Sequence, residues 1–287
     1  LNSARYYLCT DNKHNGVQCF LCPHECKIDI GQKGLCQVRY NKEGKLKLLN
    51  YGQVTAASLD PIEKKPLKKY YPGQKVFSLG TFGCNFSCDF CQNWKISQGE
   101  KPESNYLSPE EAVIKAQELV QYGNIGIAYT YSEPLMWFEY VLDTAKLAKE
   151  AGLKNILVTN GYINQEPLRE LVPYLDAVNL DIKSFTEGFY QKVCGGRLSP
   201  VLSNARIFAE NCHLEITTLL IPDLNDSVEE IEKLTTFIAE IDKNIPLHLT
   251  RYFPNYELQK PSTSLDILYK AKEIADKYLA EVYLGNI

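Results

Sequence analysis

No apolar run in the chain approaches 18 residues, which excludes a hydrophobic helix long enough to cross a bilayer. Leu1 to Tyr7 lacks the apolar core of a secretory signal. Positive charge is not in excess: 31 Lys and Arg stand against 35 Asp and Glu, a net charge of −4. A surface that grips nucleic acid throughout is therefore unexpected, and no basic stripe runs along the chain. No internal repeat or low-complexity segment interrupts the 287 residues. With 45% apolar and 23% charged side chains the composition is that of an ordinary globular protein, not a disordered one. This length accommodates one large α/β domain with a small appendage. Residue 1 is Leu rather than Met, as expected of a trimmed start.

Cysteine is abundant by contrast. Ten cysteines in a chain without an export signal point to a reducing cytoplasm, where a core of this size needs no disulfides. Clustered cysteines there read as metal ligands or redox groups. One cluster is Cys19, Cys22, Cys26 and Cys36, and a second is Cys84, Cys88 and Cys91. Cys9, Cys194 and Cys212 stand alone and read as small buried hydrophobes.

The chain divides near residue 75. Residues 1–74 read as a cysteine-rich metal-binding segment, which has too little apolar surface to fold unaided, followed by a hairpin over 44–60. The basic stretch Lys64–Lys69 reads as a solvated loop or as a contact for an anionic partner. From residue 75 strands alternate with helices. Strands are expected at 75–80, 124–131, 154–159, 177–181, 213–221 and 246–252, with a short last one at 281–284. Helices are expected at 109–121, 135–150, 166–172, 200–211, 227–242 and 265–278; Ser108 and Glu111 form a capping box, and Asp226 caps the fifth. This α/β order implies a parallel sheet with right-handed crossovers, and residues 75–287 suit an open, partial (β/α)6 TIM-like barrel. Chemistry then belongs at the C-terminal ends of the strands.

Directly after the first barrel strand comes Gly83-Cys84-Asn85-Phe86-Ser87-Cys88-Asp89-Phe90-Cys91-Gln92-Asn93-Trp94. Three thiolates on one loop can hold three irons of a [4Fe–4S] cube and leave the fourth open to a small molecule. A structural zinc site asks for four ligands instead. This C-x3-C-x2-C spacing, with Phe90 before the last cysteine, resembles the radical S-adenosylmethionine (SAM) superfamily. The resemblance implies that SAM chelates the open iron and that a reduced cluster cleaves its sulfur–C5′ bond. The resulting 5′-deoxyadenosyl radical abstracts hydrogen from a substrate.

The same resemblance extends to the other strand ends. Tyr131-Ser132-Glu133-Pro134 stands where the superfamily usually carries G-G-E-P, so Ser132 and Glu133 are expected at the methionine amino group. Thr159-Asn160-Gly161 is similar to the D-T-N-G of glycyl-radical activating enzymes, with Val158 in place of Asp. Asp181-Ile182-Lys183 matches their D-x-K, and residues i and i+2 share one side of a strand. A cation at Lys183 suits the SAM carboxylate, with Asp181 beside it. Thr217 and Leu219 resemble the adenine-side strand. Phe253 stands near the position of a ribose-contacting His, and Arg251 is expected to face substrate or a rim acid.

Further motifs narrow the likeness. They are Cys19-x2-Cys22-Pro-His-Glu-Cys26, Gly34-Leu-Cys36-Gln-Val-Arg39, Asp60-Pro-Ile-Glu-Lys-Lys-Pro66, Cys91-Gln-Asn-Trp94 and Val193-Cys194-Gly-Gly-Arg197. Together they resemble the AmmeMemoRadiSam system radical SAM proteins, relatives of pyruvate formate-lyase activating enzyme. Members of that family usually continue into a cysteine-containing tail, so a C-terminal segment is expected beyond Ile287. The four N-terminal cysteines suffice for zinc or for a second iron–sulfur cluster, and their spacing does not choose. Their distance in sequence from the redox loop favours zinc. His24 reads as a spare ligand or an exposed side chain.

The expected function is radical chemistry on a protein or peptide, with a flavodoxin or ferredoxin as electron donor. Radical modification of a small molecule or RNA is the alternative within enzymes. A metal-stapled binding module is the alternative outside them.

Overall fold

A computed structural model describes residues 1–10, 16–99 and 102–287. Eight strands form one sheet in chain order: β1 (Ala56–Pro61), β2 (Lys75–Gly80), β3 (Asn124–Tyr129), β4 (Lys154–Thr159), β5 (Ala177–Asp181), β6 (His213–Leu220), β7 (Leu247–Arg251) and β8 (Val282–Gly285). All neighbours from β2 to β8 run parallel, whereas β1 pairs antiparallel with β2. Six crossover helices join the parallel strands: α1 (Pro109–Glu118), α2 (Phe138–Glu150), α3 (Gln165–Leu171), α4 (Leu198–Asn211), α5 (Val228–Asp242) and α6 (Leu265–Ala275). This is the six-unit open barrel that the strand–helix alternation implies. Ser108 and Glu111 form the expected capping box of α1. The cap of α5 is Ser227, which accepts from Glu230 N, while Asp226 instead accepts from Asp223 N in the preceding turn.

The N-terminal region departs from expectation. Its hairpin is Arg39–Lys42 against Lys45–Leu48 rather than 44–60. The turn falls on Glu43 and Gly44, both at positive φ, a two-residue geometry that Asn-Gly or Asp-Gly would have signalled more clearly. Residues 56–61, read as part of that hairpin, instead become the edge strand β1.

The basic stretch after β1 is not a solvated loop along its whole length. Ile62 and Leu67 are fully buried against Val76, Ala128, Ile156 and Ala177, the inward side chains low in the barrel. Lys65 is buried as well, while Lys64 stays exposed. The loop plugs the lumen, and polar groups fasten it. Asn179 donates to Pro66 O, and Lys68 N and Lys69 N donate to the two oxygens of Glu215 at 2.9 and 2.8 Å. His213 and His248 also meet this carboxylate, at 2.9 and 2.6 Å.

Burial alone would raise the pKa of Glu215, but the hydrogen bonds from His213, His248 and the loop amides hold it at about 2. A carboxyl depressed on folding contributes stability above its unfolded pKa and loses it as pH falls toward the folded one. Denaturant titrations should therefore show the wild type weakening from about pH 4.5 down to about pH 2. Glu215→Gln should cost about 3 kcal/mol at pH 7 and flatten that acid slope; an unchanged slope would contradict the fastening role.

Candidate active site

The C-terminal ends of β2 to β7 surround a cavity of about 400 Å³. Cys84, Cys88, Phe90 and Cys91 enter it from the loop after β2, Ser132 and Glu133 from the loop after β3, and Asn160 from that after β4. Asp181 and Lys183 arrive from the end of β5, with Thr217 and Leu219 from β6. Parallel strands in register carry these side chains to one level.

The cysteine loop has little regular structure and is shaped by its neighbours. Asn85 donates to Tyr162 O at 2.6 Å and accepts from Asn160 Nδ2 at 2.9 Å. Ser87 N and Asp89 N donate to Cys194 O and Val193 O, flanking Cys88. A side chain at Gly196 would strike the Phe86 ring at 2.3 Å, so the Gly-Gly after Cys194 is what allows this approach. Cys194 is fully buried and packs beside Cys88, but it does not line the cavity. Among the described residues three thiols, Cys84, Cys88 and Cys91, therefore face the open space. A hydrogen bond with Cys194 and burial raise the Cys88 thiol, and burial raises Cys84 and Cys91. Among the described residues no three His, Cys, Asp or Glu side chains stand at ligand distance from a single point. Three thiols on one cavity wall, with the fourth corner clear, fit a [4Fe–4S] cluster awaiting a small-molecule ligand.

Asp181 and Lys183 form an ion pair at 2.6 Å. Burial opposes the ammonium charge, but Asp181 and the nearby Cys88 hold the Lys183 pKa above its ordinary value. Glu133 is 2% exposed. Its oxygens take Leu135 N at 3.0 Å, Thr159 Oγ1 at 2.6 Å and Asn160 N at 2.8 Å. Burial pushes its pKa up to about 7 against those donors. Glu133 thus locks the β3 and β4 end loops together. The Ser132 hydroxyl beside it is buried without a partner, a polar group free for a ligand.

Phe253 and Arg251 are not brought to the cavity. Arg251 Nε donates to Thr263 O at 2.7 Å and its guanidinium lies 4.9 Å from the Phe253 ring centroid, so the two satisfy each other on the outside. Phe253 is 43% exposed. Residues absent from the expected site include Tyr131, Lys65 and Asp60. Tyr131 adopts φ +73° where the family usually carries Gly. Its hydroxyl donates to Asp60 Oδ2, which also takes Lys65 Nζ, both at 2.8 Å, and Lys65 sits 4.7 Å from the Tyr131 ring centroid. The break in G-G-E-P at Tyr131 was the available signal.

The four N-terminal cysteines line a second, small space with His24 and Arg39. Distant in sequence, this segment is adjacent in space to the redox loop. His24 is half-buried rather than exposed, with Nε2 2.7 Å from Asn85 O.

Residues 78–237 match the radical SAM superfamily. The chain belongs to that superfamily. An uncharacterized protein of Methanocaldococcus jannaschii is 40% identical over 293 residues, spanning 100% of this chain and 86% of the relative. A second protein of that organism, provisionally named a glycyl-radical enzyme activating enzyme, is 30% identical over 213 residues, or 71% of this chain and 78% of its own. The pyruvate formate-lyase-activating enzyme of Clostridium pasteurianum is 27% identical over 203 residues, 68% of this chain and 82% of that one. The fold is shared with Streptococcus suis SuiB bound to S-adenosylmethionine: TM-score 0.59, 17% identity, 74% of this radical SAM chain and 52% of SuiB.

Replacing Glu133 by Ala strips three donors of their acceptor. Chemical denaturation should show a loss of about 3 kcal/mol; a loss below about 0.5 kcal/mol would contradict its role as the lock between the loops.

Proposed function

We propose that this radical SAM protein is an AmmeMemoRadiSam-type enzyme that abstracts hydrogen from a protein or peptide, in the manner of a glycyl-radical enzyme activating enzyme. The observation that carries the reading is the set of three thiols, Cys84, Cys88 and Cys91, facing a cavity that the fourth nearby thiol, Cys194, does not enter. When bound, the cluster and SAM supply one-electron reductive cleavage of the sulfonium and hydrogen-atom abstraction.

The chain supplies placement. Cys84, Cys88 and Cys91 hold three irons, and Phe90 and Phe86 wall the loop with apolar surface. Lys183, kept charged by Asp181, meets the SAM carboxylate, and Ser132 offers its free hydroxyl to the methionine end. Asn160 ties the cluster loop to the Glu133 lock. Thr217 and Leu219 face the adenine side. The half-buried ammonium there is partly shielded from water, and in that setting a charge–charge contact counts for more than in bulk solvent.

The cavity of about 400 Å³ lies toward the lower end of the range for a single small-molecule site. The relatives named as activating enzymes favour a protein or peptide as the substrate. We assign the electron supply to a flavodoxin or ferredoxin and the setting to a reducing cytoplasm. No helix among the described residues is long and apolar enough to cross a membrane. The N-terminal cysteines hold zinc or a second cluster in this reading.

Anaerobically reconstituted protein should absorb near 400 nm and, with a strong reductant, convert SAM to 5′-deoxyadenosine and methionine. Cys88→Ala should abolish both, and retained cleavage would refute the assignment. Lys183→Ala should weaken SAM binding by about 10-fold, the order of one charge-assisted hydrogen bond. Equal affinities by calorimetry would remove Lys183 from the site.

A further inference from the structure

We propose that Cys19, Cys22, Cys26 and Cys36 hold one tetrahedral zinc ion, and that this centre braces the loop of the radical cluster. The zinc half stands on the N-terminal residues alone. The bracing half rests on the radical SAM reading of Cys84, Cys88 and Cys91.

All four sulfurs border one space of about 10 Å³ that no carboxylate lines. That is about the room of a single water molecule. It suits one ion with sulfurs at about 2.3 Å. A cube of four irons and four sulfides would force the segment apart. The sulfurs do not stand at ligand distance from one point, so binding the ion would have to draw these four side chains, which already border the space, inward.

A buried cation supplies the second observation. Arg39 is 1% exposed, places Nη1 3.9 Å from Cys19 Sγ and pairs with Glu139 at 2.6 Å. Its Nε and the Oε2 of Glu139 have no partner. A tetrathiolate zinc site carries net negative charge, which a fixed guanidinium beside one sulfur offsets.

The segment also needs a staple. Its strands Tyr7–Cys9, Val17–Cys19 and Lys27–Ile28 are two or three residues long, too little for an independent core. Once fixed, it presses on the redox loop at two places. His24 meets Asn85 O at 2.7 Å. A Cβ on Gly83 would lie 2.6 Å from Cys36 O, so the two backbones touch next to Cys84. A zinc ligand and the neighbour of an iron ligand thus share one contact.

Metal analysis of the full chain, purified without oxygen from cells supplied with both metals, tests the proposal. One zinc and four irons per chain are expected. Cys26→Ser should lose the zinc, and Cys88→Ala should lose the iron and keep the zinc. Eight irons and no zinc, or full zinc in Cys26→Ser, overturn the zinc site. Zinc without iron in the wild type supports the zinc half and ends the radical reading on which the bracing depends. His24→Ala should keep its zinc yet release iron to a chelator about tenfold faster, as loss of an outer contact does elsewhere. An unchanged release rate overturns the brace.

Discussion

A short loop that turns three sulfurs into one cavity cannot hold that shape by itself. It has no helix or strand of its own to satisfy its backbone. Here the surrounding elements impose the shape. The β4 end grips Asn85 through Asn160 and Tyr162. The 193–197 turn takes two amides on either side of Cys88. The amides of Glu257 and Leu258 close on Asp89 O, and Gln98 reaches back to Phe86 O. The N-terminal segment supports Gly83 and Asn85 from beneath. Because every anchor belongs to a different part of the chain, the cluster site forms only when the whole barrel does.

Charge follows the same plan. The cavity mixes carboxylates, ammonium groups and thiols under partial burial, where an unpaired charge is costly. Each is therefore paired or held: Asp181 with Lys183, Asp60 with Lys65 and Tyr131, and Glu133 with three donors. Tyr131 adds strain to this account, since a non-glycine residue at φ +73° is unfavourable unless its surroundings fix it. Asn93 does so by donating to its carbonyl at 2.7 Å, and Gly80 makes room for its ring. Residues next to the third cluster cysteine thereby hold the wall opposite.

Much of the barrel was legible in the chain. β2, β4 and β5 could be bounded to the residue because each is a short apolar run closed by turn residues, as buried parallel strands are. The strand-end residues Glu133, Asn160, Asp181 and Lys183 were legible through their likeness to the G-G-E-P, D-T-N-G and D-x-K motifs of the family. What stayed hidden depends on contacts between distant segments. Nothing local in 56–61 distinguishes an edge strand of the main sheet from half of a hairpin. The lysines at 64–69 mask the burial of Leu67, because their charge signals solvent while the backbone between them plugs the barrel. Arg251 lies on the rim because Thr263 and Phe253 draw its guanidinium outward, a choice made by the loop after β7. The adjacency of the two cysteine clusters is tertiary as well, and no spacing rule reports it.

The account turns on one iron that the protein leaves without a side-chain ligand. Mössbauer spectroscopy of the ⁵⁷Fe-loaded chain, with and without SAM, reads that iron directly. One quarter of the iron signal should shift on adding SAM, as a single site gains nitrogen and oxygen ligands while three stay with sulfur. A spectrum of equivalent irons that SAM leaves unchanged would mean that a fourth sulfur, with Cys194 the nearest, closes the corner, and would contradict the account.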